Sequence, residues 1–203
     1  MRLLVIGAGG HAKVVIDAAR AAGMEVTGVV GEAQGRDCLL NVPISRTPDA
    51  FEGDAFIVAI GNNQARAESF ARYLDSGMHP AVVVHPSAVI ADGVEIGSGS
   101  FIAAGVVVNV DARIGENAIL NTSCCVDHDC VIGDHAHVGP TAGLCGGVVV
   151  GTGALVGAGC SIIPLCSVGE WAVVGAGSVV IRDVLAGEVR AGIPARSIPS
   201  TLE

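Results

Sequence analysis

Positions 128 and 146 carry a potential general base and a potential backbone hydrogen-bond donor. His128 is a side chain that takes up a proton near neutral pH, and Gly146 offers a backbone N–H that no side chain shields. Acyl transfer to an amine needs a base to remove a proton and a donor to the developing oxyanion. The sequence therefore predicts a catalytic pair at these positions, provided that the fold brings them into contact.

A sequence repeat that could bring positions 128 and 146 together runs from Val84 to Val180. Every sixth residue there is Val, Ile or Leu, through seventeen hexads in one register, and a small residue or Val stands four positions after each. A six-residue period is typical of a parallel β-helix. Three hexads make one triangular coil, so positions three hexads apart, such as 128 and 146, stack on each other. The rod is about 27 Å long at ~4.8 Å per coil.

Acidic side chains accompany the predicted base. Asp129 follows His128 directly, and Asp111 stacks below Asp129 by the three-hexad rule. A carboxylate near an imidazole raises its basicity and selects one tautomer, so Asp129 is a candidate catalytic residue, although the reach of its short side chain stays open. His137 is half a coil from His128, on another face, and could meet it only across a subunit boundary. His135 is expected to be exposed polar surface.

The N-terminal residues have a different organisation. Strands are expected at 3–6, 26–30 and 56–60, with helices at 12–22 and around 66–74. This order predicts an α/β Rossmann-like domain over residues 1–80, followed by the β-helix domain at 81–181 and a C-terminal cap at 182–203. Ligands of parallel sheets bind beyond the carboxyl ends of the strands, which here are the loops 7–11, 31–35 and 61–63.

The first of these loops contains a glycine motif. Gly7-x-Gly9-x-x-Ala12 resembles a dinucleotide fingerprint, and Glu32 lies where a ribose-binding acid belongs. The domain has half the length of a full dinucleotide fold, and the third glycine is Ala12, so a dehydrogenase is disfavoured. We expect a nucleotide-sugar phosphate held by backbone N–H groups; a purely structural turn is the alternative. The predicted substrate-binding residues are Gly9, Gly10, His11, Glu32 and Asn62.

Composition narrows the possible partners and compartment. A net charge of −9 argues against nucleic acid or an anionic membrane as partner. No apolar run approaches the length of a membrane-spanning helix, and the apolar stretch at the start is too short for a signal peptide. Cys124, Cys130, Cys160 and Cys166 fall on small inward positions of the coils, where cysteine acts as a small hydrophobe. We therefore expect reduced thiols and a cytoplasmic protein.

Four segments, taken in order, resemble a known family. They are VIGAGGHAKVV at 5–15, AIGNN at 59–63, NTSCCVDHDCVIGDHAHVG at 121–139 and GIPAR at 192–196. Together they are similar to bacterial sugar acetyltransferases that join a nucleotide-sugar-binding domain to a left-handed β-helix. The family includes N-acetyltransferases of UDP- or GDP-linked 4-amino-4,6-dideoxy sugars and relatives that O-acetylate sialic acid.

The resemblance implies a homotrimer that binds acetyl-CoA in the groove between adjacent β-helices. It also implies that His128 is the general base and Gly146 the oxyanion donor, and that His137, Gly146 and Pro164 contact acetyl-CoA. In the family the acid after the base is often Glu, where this chain has Asp129. No metal is expected.

Several alternatives stay open. N-acetylation is favoured over O-acetylation, because one histidine suffices to deprotonate an ammonium group and a hydroxyl is a poorer nucleophile. The nucleotide is unassigned among UDP, GDP, dTDP and CMP, since relatives acting on UDP-sugars often carry paired acids where this chain has Gly31-Glu32. A γ-class carbonic anhydrase-like zinc enzyme would need a different histidine spacing. A non-catalytic nucleotide-sugar sensor is the remaining class.

Overall fold

The computed structural model describes residues 1–32 and 35–198, and its N-terminal part is a six-stranded sheet with two main helices. Strands lie in the order β3-β4-β2-β1-β5-β6, all neighbours being parallel except β3 and β4. The elements are β1 Arg2–Ile6, α1 Gly10–Ala21, β2 Glu25–Val30, β3 Cys38–Leu39, β4 Val42–Ser45, a 3-10 turn at Pro48–Ala50, β5 Ala55–Val58, α2 Asn63–Asp75 and β6 His79–Pro80.

The predicted βαβ pattern is present, with differences at its edges. Helix α1 begins at Gly10, two residues before the prediction, so His11 lies in its first turn. Strand β5 ends at Val58, although the N–H of Ala59 still donates to the carbonyl of Ile6. The β3–β4 hairpin and β6 were not predicted, because strands this short have no readable periodicity.

The second part is a parallel β-helix of two-residue strands. In the described residues there are seventeen of them, β7 to β23: Val83–Val84, Val89–Ile90, Glu95–Ile96, Phe101–Ile102, Val107–Val108, Arg113–Ile114, Ile119–Leu120, Cys125–Val126, Val131–Ile132, His137–Val138, Gly143–Leu144, Val149–Val150, Leu155–Val156, Ser161–Ile162, Ser167–Val168, Val173–Val174 and Val179–Val180. Each pairs with the strand three hexads away, as Cys125 does with Gly143. The predicted three-hexad stacking is therefore confirmed.

The hexad positions have the predicted directions. From Ile102 onward the large residue of each hexad is buried, and so are the small residues four positions later. In the hexads from Ile90 to Val174, the third residue after each large one occupies the left-handed region, as at Asp129 (φ 59°), His135 (φ 59°) and Gly147 (φ 70°). The glycines directly after the large residues are required by close packing between coils and not by a left-handed backbone. For example, a Cβ at Gly133 would lie 2.6 Å from the backbone N of Thr152 on the next coil.

The rod changes at its C-terminal end. Val173 pairs with Val189 and Val168 bridges to Val184, so the last coil is two residues shorter than the others. Strand β24, Val189–Ala191, then pairs antiparallel with β25, Arg196–Ser197. Residues 199–203 of the predicted cap, and residues 33 and 34 of the predicted 31–35 loop, lie outside the described residues.

Both parts share one apolar core. Buried residues of β1, α1 and the coils belong to the same cluster, in which α1 packs against β7. All seven cysteines are free, and burial raises the pKa of Cys124 to about 12. Among the described residues no helix is long and apolar enough to cross a bilayer.

Candidate active site

The imidazole of His128 lies against Gly146 on the next coil. A Cβ at position 146 would stand 2.6 Å from both Cε1 and Nε2 of that ring. The carbonyl of His128 accepts the N–H of Gly147 at 2.9 Å, which holds the two turns together. The structure thus brings the predicted base and the predicted oxyanion donor into direct contact.

Asp129 contacts the ring of His128. The sequence alone had not decided whether its short side chain could reach that ring. Its Oδ2 lies 2.6 Å from Nδ1 of His128. This hydrogen bond, followed by the charge of Asp127, raises the pKa of His128 above its ordinary value. Because a carboxylate accepts, Nδ1 carries the proton, and neutral His128 keeps Nε2 free to act as a base.

A second polar contact holds the backbone of His128. Oδ1 of Asp127 accepts the N–H of His128 at 2.8 Å and the side-chain amide of Asn109 at 2.8 Å. Sequence reasoning missed both residues, although Asn109 and Asp127 are three hexads apart and the stacking rule could have found them. Asp111 does stack beside Asp129, where the two border a shallow hollow with Arg113, but no contact joins Asp111 to His128 within the described chain.

The base faces an open cleft of about 630 Å³. Gly146, Pro164 and Leu165 form its other walls, and Leu165 is 82% exposed. Among the described residues, no backbone hydrogen bond uses the N–H of Gly146, which leaves that donor available to a ligand. Cys145 also borders the cleft. The site has an apolar wall, a base and a free donor, as a thioester substrate requires.

The glycine turn is shaped for a ligand. A Cβ at Gly9 or Gly10 would meet no atom within 4 Å, whereas Gly7 (φ 112°) packs against the carbonyl of Ala59. Gly9 is the N-cap of α1, and the first turn has neither a side-chain cap nor an acidic residue. Free N–H groups at a helix N-terminus bind anions. Because no atom fills the space beside Gly9 and Gly10, a phosphate could reach this turn.

The other predicted substrate-binding residues differ in exposure and in their hydrogen bonds. Glu32 is exposed at the end of β2. Asn62 caps α2, its Oδ1 accepting the N–H of Ala65 at 2.9 Å, and its amide N–H groups remain for a ligand. Arg36, which the sequence did not single out, donates to the carbonyl of Ala8 at 3.1 Å and so places a cation beside the glycine turn.

His137 lies between the two parts of the chain. Its ring centroid is 6.4 Å from that of His11, and its Nε2 accepts from the amide of Asn121 at 3.0 Å. Burial, with a smaller effect of Arg66, lowers the pKa of each histidine to about 4, so both are neutral at pH 7. Within the described residues Nε2 of His11 has no partner. His137 is therefore on a different face from His128, as predicted, and a contact with acetyl-CoA stays a prediction.

His135 differs from the expectation. It is partly buried, its Nδ1 accepts from the side-chain amide of Asn117 at 2.9 Å, and its ring packs on Phe70 of α2. The prediction of exposed polar surface was wrong, because α2 docks on this corner of the coils. No three potential metal ligands cluster anywhere in residues 1–32 or 35–198.

Two families match the two parts of the chain. The PglD N-terminal domain matches residues 2–73, and the bacterial transferase hexapeptide family (six repeats) matches residues 75–109. Fold and site together define a hexapeptide-repeat acyltransferase.

Similar solved structures identify the kind of acyltransferase. A variant of a perosamine N-acetyltransferase from Caulobacter crescentus, in complex with CoA and GDP-perosamine, is 38% identical; the match covers 98% of this chain and 97% of that one, with a TM-score of 0.93. The acetyltransferase domain of PglB from Neisseria gonorrhoeae, in complex with acetyl coenzyme A, is 30% identical over 97% and 98%, with a TM-score of 0.89. WeeI from Acinetobacter baumannii is 27% identical over 98% and 100%, with a TM-score of 0.90. The chain belongs to the family of sugar acetyltransferases that join a PglD-type domain to a hexapeptide-repeat β-helix, and the resemblance found in the sequence is confirmed.

Proposed function

We propose that the protein transfers the acetyl group of acetyl-CoA to the amine of a UDP- or GDP-linked 4-amino-4,6-dideoxy sugar. The observation that carries this proposal is the contact between the ring of His128 and Gly146 at an open cleft. The relatives support the substrate class, since one was solved with CoA and GDP-perosamine and another with acetyl coenzyme A.

The chemistry follows from the orientation of the ring. Nε2 of His128 takes a proton from the sugar ammonium, and the amine then attacks the thioester carbonyl. The N–H of Gly146 donates to the oxyanion that forms. As the tetrahedral intermediate collapses, the attacking nitrogen gives up its second proton, and the departing CoA sulfur takes up a proton and leaves as the thiol. Asp129 holds the ring in the tautomer that this step needs.

The nucleotide is assigned to the N-terminal domain. The open space above Gly9 and Gly10 admits a diphosphate to the start of α1, and the guanidinium of Arg36 stands beside it. His11, Glu32 and the amide N–H groups of Asn62 complete this part of the site. An arginine is suited to a diphosphate because its planar donors match two oxygens at once.

The two substrates meet at a subunit boundary in this proposal. His128 and His137 lie on different faces of one rod, so the sugar bound near His11 and His137 of one protomer would be acetylated beside His128 of another. Acetyl-CoA lies in the groove between them, past Gly146 and Pro164. The active unit is a homotrimer, and a monomeric mass at micromolar concentration in sedimentation would contradict it.

A substrate panel tests the function. UDP-, GDP-, dTDP- and CMP-linked 4-amino-4,6-dideoxy sugars are incubated with acetyl-CoA, and thiol release and product mass are followed. We expect turnover with a UDP- or GDP-sugar and an amide product. An alkali-labile ester would indicate O-acetylation, and no turnover with any member would overturn the proposal.

The role of His128 is tested in the same assay. His128→Ala should lower kcat by roughly 10²- to 10⁴-fold, as expected for loss of a general base, and leave acetyl-CoA binding unchanged in calorimetry. Near-normal turnover by this variant would mean that the amine loses its proton elsewhere.

A further inference from the structure

Arg66 of α2 is a fully buried arginine, with an exposed fraction of 0%. Burial lowers its pKa to about 10, so it remains charged at neutral pH. In the part of the chain that the structure describes, no carboxylate lies within ion-pairing distance of its guanidinium. A buried cation without a carboxylate is costly, so its charge must be balanced by other oxygens.

Those oxygens come from two separate parts of the fold. On one side Nη1 donates to the carbonyl of Ile60 at 3.1 Å, in the loop after β5, and to Oδ1 of Asn63 at 2.8 Å, at the start of α2. On the other side Nε donates to the carbonyl of Asn117 at 3.0 Å, and Nη2 to that of His135. One guanidinium therefore joins the loop to two successive coils.

The β-helix supplies these acceptors through its repeat. Asn117, His135 and Gly153 stack at three-hexad intervals, and all three have left-handed backbones, with φ of 50°, 59° and 67°. At this corner the backbone hydrogen bonds between coils use the carbonyls of the residues just before these turn residues. For example, the N–H of His135 donates to the carbonyl of Glu116 at 2.8 Å. The carbonyls of the three turn residues are thus free to accept from α2.

Asn63 extends the same arrangement to a third coil. Its Nδ2 donates to the carbonyls of Gly153 at 3.0 Å and Ala154 at 3.1 Å, while its Oδ1 accepts from Arg66. The first turn of α2 is therefore attached to three consecutive coils. A lysine at position 66 would keep the charge but could not reach acceptors on both sides, because its donors lie on a single nitrogen.

The loop and the coil held by Arg66 belong to different halves of the proposed site. The loop at 60–63 adjoins the glycine turn, since a Cβ at Gly7 would lie 3.0 Å from Cγ1 of Ile60. The coil carries His137 two residues after His135. We propose that Arg66 is a positioning residue, which fixes the nucleotide-sugar loop relative to the coil that carries His137. This inference rests on the proposed function.

The test separates positioning from stability. Arg66→Lys is compared with Arg72→Lys, an exposed arginine of the same helix, and with Phe56→Leu, a core change that leaves every bond of Arg66 in place. Each variant is assayed with the nucleotide-linked amino sugar and with the free amino sugar, which lacks the group that the loop binds. Thermal unfolding is measured alongside.

We expect Arg66→Lys to lower kcat/KM for the nucleotide-linked sugar by roughly 10- to 100-fold, as a displacement of about 1 Å would do. Its kcat/KM for the free sugar and its KM for acetyl-CoA should stay within twofold of wild type. Phe56→Leu should lose thermal stability without changing the ratio of the two sugars. If Arg66→Lys gives no folded protein, Asn63→Ala, at a partly exposed position, should change that ratio in the same direction.

Two results would overturn this inference alone. In one, an active wild-type enzyme and a folded Arg66→Lys variant would share the same ratio of the two sugars. In the other, both sugars would be slowed equally, in parallel with lost stability, and Arg66 would then only stabilise the fold. A wild-type enzyme without activity on any amino sugar would overturn the proposed function and this assignment together.

Discussion

Oδ2 of Asp129 lies 2.6 Å from Nδ1 of its sequence neighbour His128. Adjacent residues of an extended strand point to opposite sides, so this contact depends on the left-handed backbone of Asp129, with φ of 59°. The turn that closes the hexad also brings the carboxylate back to the ring. The repeat of the β-helix thereby supplies the partner that the base needs.

Removing this carboxylate should change the pH dependence. Asp129 raises the pKa of His128, so the base form dominates only at higher pH than for an ordinary histidine. In Asp129→Asn the acid limb of kcat/KM should move to lower pH, and kcat should fall because the tautomer is no longer held. Asparagine tolerates the left-handed turn. Asp111→Asn, at the same φ one coil away, is the control, and an unmoved limb in Asp129→Asn would contradict the assigned partner.

Filling the space above Gly146 should separate the base from the donor. In Gly146→Ala the new methyl group would stand 2.6 Å from the ring of His128, which must then turn away. We expect kcat to fall roughly 100-fold, with little change in melting temperature. Gly143→Ala is a matched control, since a Cβ there meets no atom within 4 Å. Equal activity of the two variants would show that this contact is dispensable.

The C-terminal end of the rod should bind the phosphates of acetyl-CoA. Three of the four arginines between residues 81 and 198, Arg182, Arg190 and Arg196, border one pocket of a chain with net charge −9. Arg196→Met should raise KM for acetyl-CoA roughly 10-fold, the loss of one charged hydrogen bond, and leave S-acetylpantetheine unaffected. Arg113→Met, whose guanidinium is exposed beside Glu95, is the control. A similar rise for both donors would place the phosphates elsewhere.

Transfer should occur directly in a ternary complex. Cys145 borders the cleft, but within the described residues no hydrogen bond joins its thiol to His128, whose ring lies against Gly146. Initial-rate lines at varied concentrations of both substrates should intersect, and Cys145→Ala should retain most of its activity. Parallel lines, or an acetylated Cys145 after mixing with acetyl-CoA alone, would make that thiol the nucleophile.

The β-helix and the pairing of His128 with Gly146 could be predicted because both follow from a period. A solenoid repeats one local conformation, so a count of three hexads identifies spatial neighbours such as Asn109 and Asp127 without any tertiary information. The stacking also explains why cysteines at inward positions are buried and free.

The docking of the N-terminal domain could not be predicted in this way. Periodicity identifies the inside of each coil, whereas the partner of an outward residue depends on how a separate unit packs. His135 therefore gave no sign of its contact with Phe70, and Arg66 was only one polar residue of a helix. The shorter last coil was also missed, because the hexad pattern ends where the spacing changes.

The coils of a parallel solenoid do not limit their own number, because each new coil exposes the same kind of strand edge as the coil on which it stacked. Such an edge can template the addition of further chains, as in fibres. The shortened last coil still pairs in parallel through β24, and the antiparallel strand β25 then occupies the edge of β24 where a further parallel coil would add. The reversal of chain direction at β25 thus ends the repeat, and a rod that stopped at a full parallel coil would present an edge on which rods could polymerise.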